Sequence, residues 1–320
     1  MPYWQIVTRS FRIAWDHKYL WLLALFSGEA GYGFNYSPQT STTRNVNPPD
    51  ASTIRDQVTT WLGNHITLIV ALAIIWLVLL IAFFVLAAVC EGATVRASAE
   101  HDAERPFGIG QAWRMGVHTM WVMVRFRLML FLLALPLLLF VAAWAIGLVV
   151  AIVNQNAVAI VPLVFSGLLL ALVWLVYGTY LFFLDRLGTR ALVLEELMAL
   201  PAIARAHRLL FKRLGRTLLV WLLSIGVGIA IAIAAACAAA LVVAPFAIAA
   251  GFAASSNSAA GVAVGALVAI IFVPVFLVIT GFFAAQSSTY WTLAFRRLDI
   301  DYAPAYGYPV APATPPSPQG

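Results

Sequence analysis

The sequence predicts an all-α polytopic membrane protein, with six transmembrane helices in three repeated helical hairpins and cytoplasmic interfacial amphipathic helices. Three observations carry that fold class. The 320 residues are 63% hydrophobic and only 10% charged, where a soluble domain carries roughly 25% charged residues. Mean hydropathy is +0.93. The charges that exist are confined to short segments: residues 157–184 and 217–295 carry none, and between them residues 185–216 hold Arg186, Arg190, Arg205, Arg208, Lys212, Arg213 and Arg216. A segment that basic cannot lie in hydrocarbon, so it surfaces on one side of a membrane and fixes that side.

Residues 1–28 open with a basic amphipathic stretch, in which Arg9, Arg12 and Lys18 alternate with Trp4, Phe11, Ile13 and Trp15. This reads as an interfacial helix feeding a short first span over about residues 18–34. A signal peptide cut near Gly28-Glu29-Ala30 is the alternative, disfavoured by its long basic region and eight-residue apolar core. Residues 35–64 are polar and turn-rich (Ser37-Pro38, Asn47-Pro48-Pro49-Asp50), so an exposed loop is expected, with a short helix near Trp61. The sequon Asn35-Tyr36-Ser37 is given no weight.

Spans follow at 66–90, 128–153, 157–184, 217–250 and 260–285. The 25 uncharged residues 66–90 suffice for a hydrocarbon core of ~30 Å at 1.5 Å per residue. Pro136, Pro162, Pro245 and Pro274 are expected at kinks or span ends. The short, uncharged connections 154–156 and 251–259 join antiparallel helices on the side opposite the basic segments. Of 19 Lys and Arg, 17 lie in residues 1–18, 93–127, 185–216 and 296–297; only Arg44 and Arg55 lie elsewhere. The positive-inside rule then puts both termini in the cytoplasm, and the membrane expected is the plasma membrane. Residues 1–300 form one membrane domain. The Pro-rich remainder, 301–320, reads as a disordered cytoplasmic tail.

A shift of 94 residues aligns the two large basic segments. Glu91 falls on Asp185, Arg96 on Arg190, Ala112 on Ala206 and Arg114 on Arg208, and each segment has a central proline, Pro106 or Pro201. Arg12-Ile13-Ala14-Trp15 offers a fainter third copy. Three units are expected, each an interfacial helix, an outward span and a returning span. Chance similarity between two basic linkers is the alternative.

Arg205, Arg208, Lys212 and Arg216 are spaced by three, four and four, which places them on one helical stripe beside Ile203, Ala206 and Leu210. Such a helix lies in the interface with its cations toward phosphates, each worth about 1 kcal/mol near an anionic surface. Arg96, Arg114 and Arg190 complete the candidate lipid- or anion-binding set; plain positive-inside anchoring explains the same residues. Glu91 and Asp185 each close an uncharged span and need a partner or water. Structural ion pairs to the other segment, such as Glu91 with Arg190 and Asp185 with Arg96, are expected.

Enzyme signals are sparse. No GxxxxGK[ST] loop or HExxH motif occurs. Phe165-Ser166-Gly167 has no histidine within a span to act as its base. His101, Asp102, Glu104 and His118 lack regular ligand spacing and read as a solvated turn. Cys90 and Cys237 lie in apolar runs with no Cys or His at ligand spacing. No catalytic residue, metal or cofactor is expected. The net charge of +6 sits beside apolar helices, so the expected partners are anionic membrane lipids and not nucleic acid. Gly226, Gly228, Gly261, Gly265 and the alanines of 234–240 suit close helix packing, within the chain or in a homo-oligomer.

The order of Glu91–Arg96 with Ala112-Trp113-Arg114, Asp185–Arg190 with Ala206-His207-Arg208, and a closing Tyr290-Trp291 through Arg296-Arg297 resembles uncharacterised six-span bacterial membrane proteins. These are similar to the membrane domain of glycerophosphoryl diester phosphodiesterases, over about residues 5–298. The resemblance implies the membrane architecture and not the activity, because the fused catalytic domain is absent. The function expected is a non-catalytic membrane accessory or scaffold protein contacting anionic lipid head groups. A transporter or lipid translocator using the polar region between the repeats is the alternative.

Overall fold

The computed structural model describes residues 3–27, 51–154, 157–256 and 258–298. Among these, eight helices occur in the order α1 (Trp4–Asp16), α2 (Tyr19–Phe26), α3 (Ala51–Asp102), α4 (Ile109–Val153), α5 (Ala157–Leu194), α6 (Ala199–Lys212), α7 (Leu214–Ser256) and α8 (Ser258–Leu298). Helix is the state in which an apolar run satisfies its own backbone without water. Five stretches are long and apolar enough to cross a membrane: His65–Asp102, Ile109–Val153, Ile160–Leu194, Leu214–Ala234 and Val273–Leu298. The chain is thus a multi-pass membrane protein. The first expected span is helical over Tyr19–Phe26; its remainder, the Asn35 sequon, the alternative cleavage site and the tail lie outside the described residues.

The helices are much longer than a bilayer is thick. α3 alone has 52 residues, about 78 Å against a ~30 Å hydrocarbon core. Burial divides this length sharply. Along α3, residues 66–84 are exposed almost throughout, while 88–95 are buried without interruption. α5 repeats the pattern, exposed over 171–176 and buried over 186–194. One core therefore forms at one end, where the C-terminal parts of α3, α5 and α8 meet α1, α2, α6 and the first turns of α4 and α7. Its largest buried side chains include Trp291, Arg190, Phe126 and Phe295. The other halves present Leu, Ile, Val, Phe and Trp outward, a surface that water penalises and lipid does not.

Polar links lock the packed end together. Ser98 and Thr289 hydroxyls share a hydrogen bond of 2.9 Å between α3 and α8. Gln286 donates to Ser10 on α1 at 3.2 Å, and the Tyr290 hydroxyl donates to the Val220 carbonyl of α7 at 2.7 Å. Glycine sets the closest approaches. A Cβ at Gly116 would lie 2.3 Å from the Val89 carbonyl oxygen, and one at Gly188 would lie 2.5 Å from the Phe126 ring. α3 crosses α4, and α5 crosses α4, at distances no larger residue permits.

Several expectations need correction. Residues 51–64 are not loop but the first turns of α3; no proline interrupts them, and Gly63 is their weakest helix former. Of the connection expected at 251–259, residues 251–256 belong to α7 and α8 begins at Ser258. The last helix extends past 285 to Leu298, and that extension is core. Pro136, Pro162 and Pro274, expected at kinks or span ends, lie inside helices. α7 and α8 pack together, but a Cβ at Gly226 or Gly228 would meet open space. Among the described residues those two glycines make no close helix contact.

Candidate functional site

The basic segments converge on the packed end, and the candidate residues there have different fates. The stripe of four cations is not one helix. α6 stops at Lys212, Arg213 leaves helical geometry (φ −133°, ψ 36°), and Arg216 belongs to the first turn of α7. Ala202, Ala206, Leu209 and Leu210 form the buried face of α6, while Arg208 and Lys212 are exposed, as is Arg216. Arg205 instead turns to Glu195 at 3.4 Å. Arg114 is exposed on α4. Arg96 pairs at 3.1 Å with Glu100 one turn along its own helix, in place of the expected Asp185. Arg190 is completely buried among core residues and donates to the Arg186 carbonyl at 3.2 Å. It is a structural residue more than a surface cation.

Glu91 forms an ion pair with Arg127 of α4. This pair joins Glu91 to the arginine that begins the next span. The Glu91 side chain is 1% exposed and that of Arg127 19%. Both lie at the mouth of a cavity of about 480 Å³ enclosed by α3, α4 and α5. Asp185 lies at the same mouth, and among the described residues it makes no hydrogen bond or ion pair. Beyond the mouth the walls are apolar: Leu130, Phe131, Ala134 and Leu137 from α4, and Trp174, Tyr177, Leu181 and Phe182 from α5. The positions recur at helical spacing, so one face of each helix lines the cleft. The Tyr177 hydroxyl donates to the Leu133 carbonyl at 2.9 Å, next to the turn from which Pro136 has withdrawn an N–H.

Two features had no sequence signal. Asp102 is held by Arg9 of α1 at 2.7 Å and by Arg296 of α8 at 2.6 Å, which clamps three elements at one carboxylate. Beside it, the His17 and His101 rings stack with centroids 3.5 Å apart. The Tyr19 hydroxyl lies 2.6 Å from His101 Nε2. The group expected to be a solvated turn is thus the docking point of the N-terminal helices. Among the described residues no cluster of three or more His, Cys, Asp or Glu is placed to hold a metal. Ser166 donates to the Leu163 carbonyl at 2.9 Å and accepts from the Trp144 indole at 3.2 Å, which makes it a packing residue.

The family model described as "Family of unknown function (DUF7544)" matches residues 7–294. No curated protein and no solved structure matches the chain.

Proposed function

The chain belongs to that family of unknown function, and we propose that it is a non-catalytic membrane accessory or scaffold protein whose basic end contacts anionic lipid head groups. One observation carries the reading: Arg12, Lys18, Arg114, Arg125, Arg208, Lys212 and Arg216 are all exposed around a packed end from which apolar helices extend. Cations beside an apolar belt meet phosphates at the level where the belt enters lipid. On this reading α2 begins a sixth span, the basic end and both termini are cytoplasmic, and the membrane is the plasma membrane. Homology to the membrane domain of glycerophosphoryl diester phosphodiesterases belongs to the same proposal.

The repeat draws support from two parallels. α1 and α6 are short amphipathic helices of 13 and 14 residues, each followed by a span-entering helix after a brief break. Glu104 and Glu196 both adopt positive φ (56° and 52°), each two residues past a helix end. The middle unit differs, because α4 runs unbroken from Ile109 into its span.

The test is lipid co-purification from native membranes. Replacing Arg208, Lys212 and Arg216 together by Gln should strip anionic lipid from the purified protein. Unchanged retention would remove the lipid-contact reading. Lipid translocation is the second reading, favoured by the apolar cleft, which runs from Arg127 to Leu137 along α4. Those eleven residues cover about 15 Å, half the hydrocarbon core.

A further inference from the structure

Two of the chain's five histidines meet where the N-terminal helices dock. His17 forms the elbow between α1 and α2, and His101 lies in the last turn of α3. Both side chains are half-buried. Their ring centroids are 3.5 Å apart and their planes 23° from parallel. Imidazole lone pairs lie in the ring plane, so rings stacked in this way do not converge on one metal ion. A recess of about 910 Å³, lined by His17, His101, Glu104, Arg105, Phe107 and Gln111, opens beside the stack and gives protons access to it.

The hydrogen bonds determine how many protons the stack can take. His17 Nδ1 is 3.1 Å from the Ile13 carbonyl, which only accepts, so Nδ1 carries a hydrogen and Nε2 is the atom that gains a proton. His101 Nε2 is 2.6 Å from the Tyr19 hydroxyl, which also lies 3.3 Å from the Phe107 carbonyl. A phenol has one proton to give. When His101 Nε2 is bare, the hydroxyl donates to the ring. When His101 is protonated, the ring donates to the hydroxyl, which turns its own proton to Phe107. One added charge is thus accommodated with every contact kept. A second is not, because two imidazolium rings would then face each other at a separation where like charges repel at any dielectric found in a protein.

We propose that the His17–His101 stack is an acid-sensitive latch: with at most one proton it holds the α1–α2 elbow on the α3–α4 turn, and a second proton releases it. The charged groups around the stack are Arg9 of α1, Glu100 and Asp102 of α3, Glu104 and Arg105 of the turn that follows, and Arg296 of α8. Asp102 pairs with Arg9 and Arg296, Glu104 with Arg9, and Glu100 with Arg105. Asp16 and Lys18 flank His17 and are exposed. Histidine is the side chain that ordinarily changes charge between pH 8 and 5. The released elbow binds more protons than the docked one, so docking weakens as pH falls. Release is local, because the Asp102 ion pairs and the Ser10–Gln286 hydrogen bond still hold α1 to the bundle. The inference is independent of lipid contact at the basic rim.

The test is amide hydrogen exchange of the full chain in lipid nanodiscs from pH 7.5 to 5, with the chemical pH dependence of exchange divided out. Residues 14–22 and 101–111 should lose protection at least tenfold over that range, while residues 186–194 of α5 stay unchanged. His17→Phe and His101→Phe each keep a stacked ring that takes no proton. Either variant should therefore match wild-type protection at pH 7.5 and retain it at pH 5. Imidazole nitrogen resonances of the wild-type protein give a readout that needs no substitution at the stack: His17 and His101 should take up their two protons in separate steps. The triple Gln variant at Arg208, Lys212 and Arg216 should respond to pH as the wild type does, so a failed rim and a failed latch give different results. Wild-type protection that is constant to pH 5, a loss that survives in both Phe variants, or protonation of both rings in one common step would overturn the proposal.

Discussion

Breaking the Glu91–Arg127 pair should be costly, and removing both members should cost less than the two single losses together. The carboxylate is 1% exposed and the guanidinium 19%, so each charge depends on the other for much of what water would supply. Losing one partner of a buried pair costs about 3–5 kcal/mol, whereas replacing both with apolar groups is often neutral or stabilising. Arg127 opens onto the cleft and keeps some access to solvent or head groups, which argues for the lower end, about 3 kcal/mol per single substitution. The set to make is Glu91→Leu, Arg127→Leu and the double variant. Unfolding can be followed by tryptophan fluorescence during SDS titration from mixed micelles. The double variant should cost less than the sum of the two single substitutions, by a coupling energy well above the ~0.5 kcal/mol of independent sites. Single substitutions that cost nothing, or a double variant equal to the sum of the singles, would refute the reasoning.

Three further outcomes follow from the packed end. Glu104 occupies the left-handed position of a Schellman turn (φ 56°), with the Arg105 and Glu104 amides donating to the Glu100 and His101 carbonyls, each at 3.1 Å. Glu104→Gly should therefore stabilise by about 1 kcal/mol in the same titration. Gly116→Leu must push α3 and α4 apart, since even a Cβ would stand 2.3 Å from the Val89 carbonyl oxygen; a loss of about 3 kcal/mol is expected. Asp102→Ala releases both Arg9 and Arg296, and amide exchange in α1 should accelerate while that in α5 stays unchanged.

The membrane architecture was legible because lipid imposes a simple rule: where charges stop, a helix must begin. That rule finds residues 66–90 and 157–184 and marks Glu91, Arg127 and Asp185 as boundaries. It does not pair the boundaries. Arg127 reaches Glu91 because Gly116 and Gly92 let α4 lie against α3, a crossing that charge counting cannot reveal. Nor does it find the Asp102 clamp, whose members are separated by 93 and 194 residues and meet only through the packing of α1 and α8. The cleft is hidden for another reason. Leu130, Ala134 and Leu137 share a helix face, but in an all-apolar run every face reads alike, so no stripe betrays which side meets a partner.

The break at Arg213 shows a limit of periodicity. Arg205, Arg208, Lys212 and Arg216 fit a single helical stripe, and no proline interrupts them. Gly215, two residues beyond the break, is the one weak signal of a change in direction. The extension of α3 back to Ala51 is the opposite case, in which a polar composition suggested loop although the segment holds few residues that oppose a helix.

The basic segments form one packed end, which the proposed orientation turns to the cytoplasm. Cysteine accessibility tests it most directly. With Cys90 and Cys237 replaced by Ala, single cysteines introduced by Arg114→Cys, Arg125→Cys, Arg208→Cys and Arg216→Cys should resist a membrane-impermeant maleimide in intact cells. All four should react in inside-out vesicles. Labelling of any of them in intact cells, with the others protected, would contradict a single cytoplasmic end.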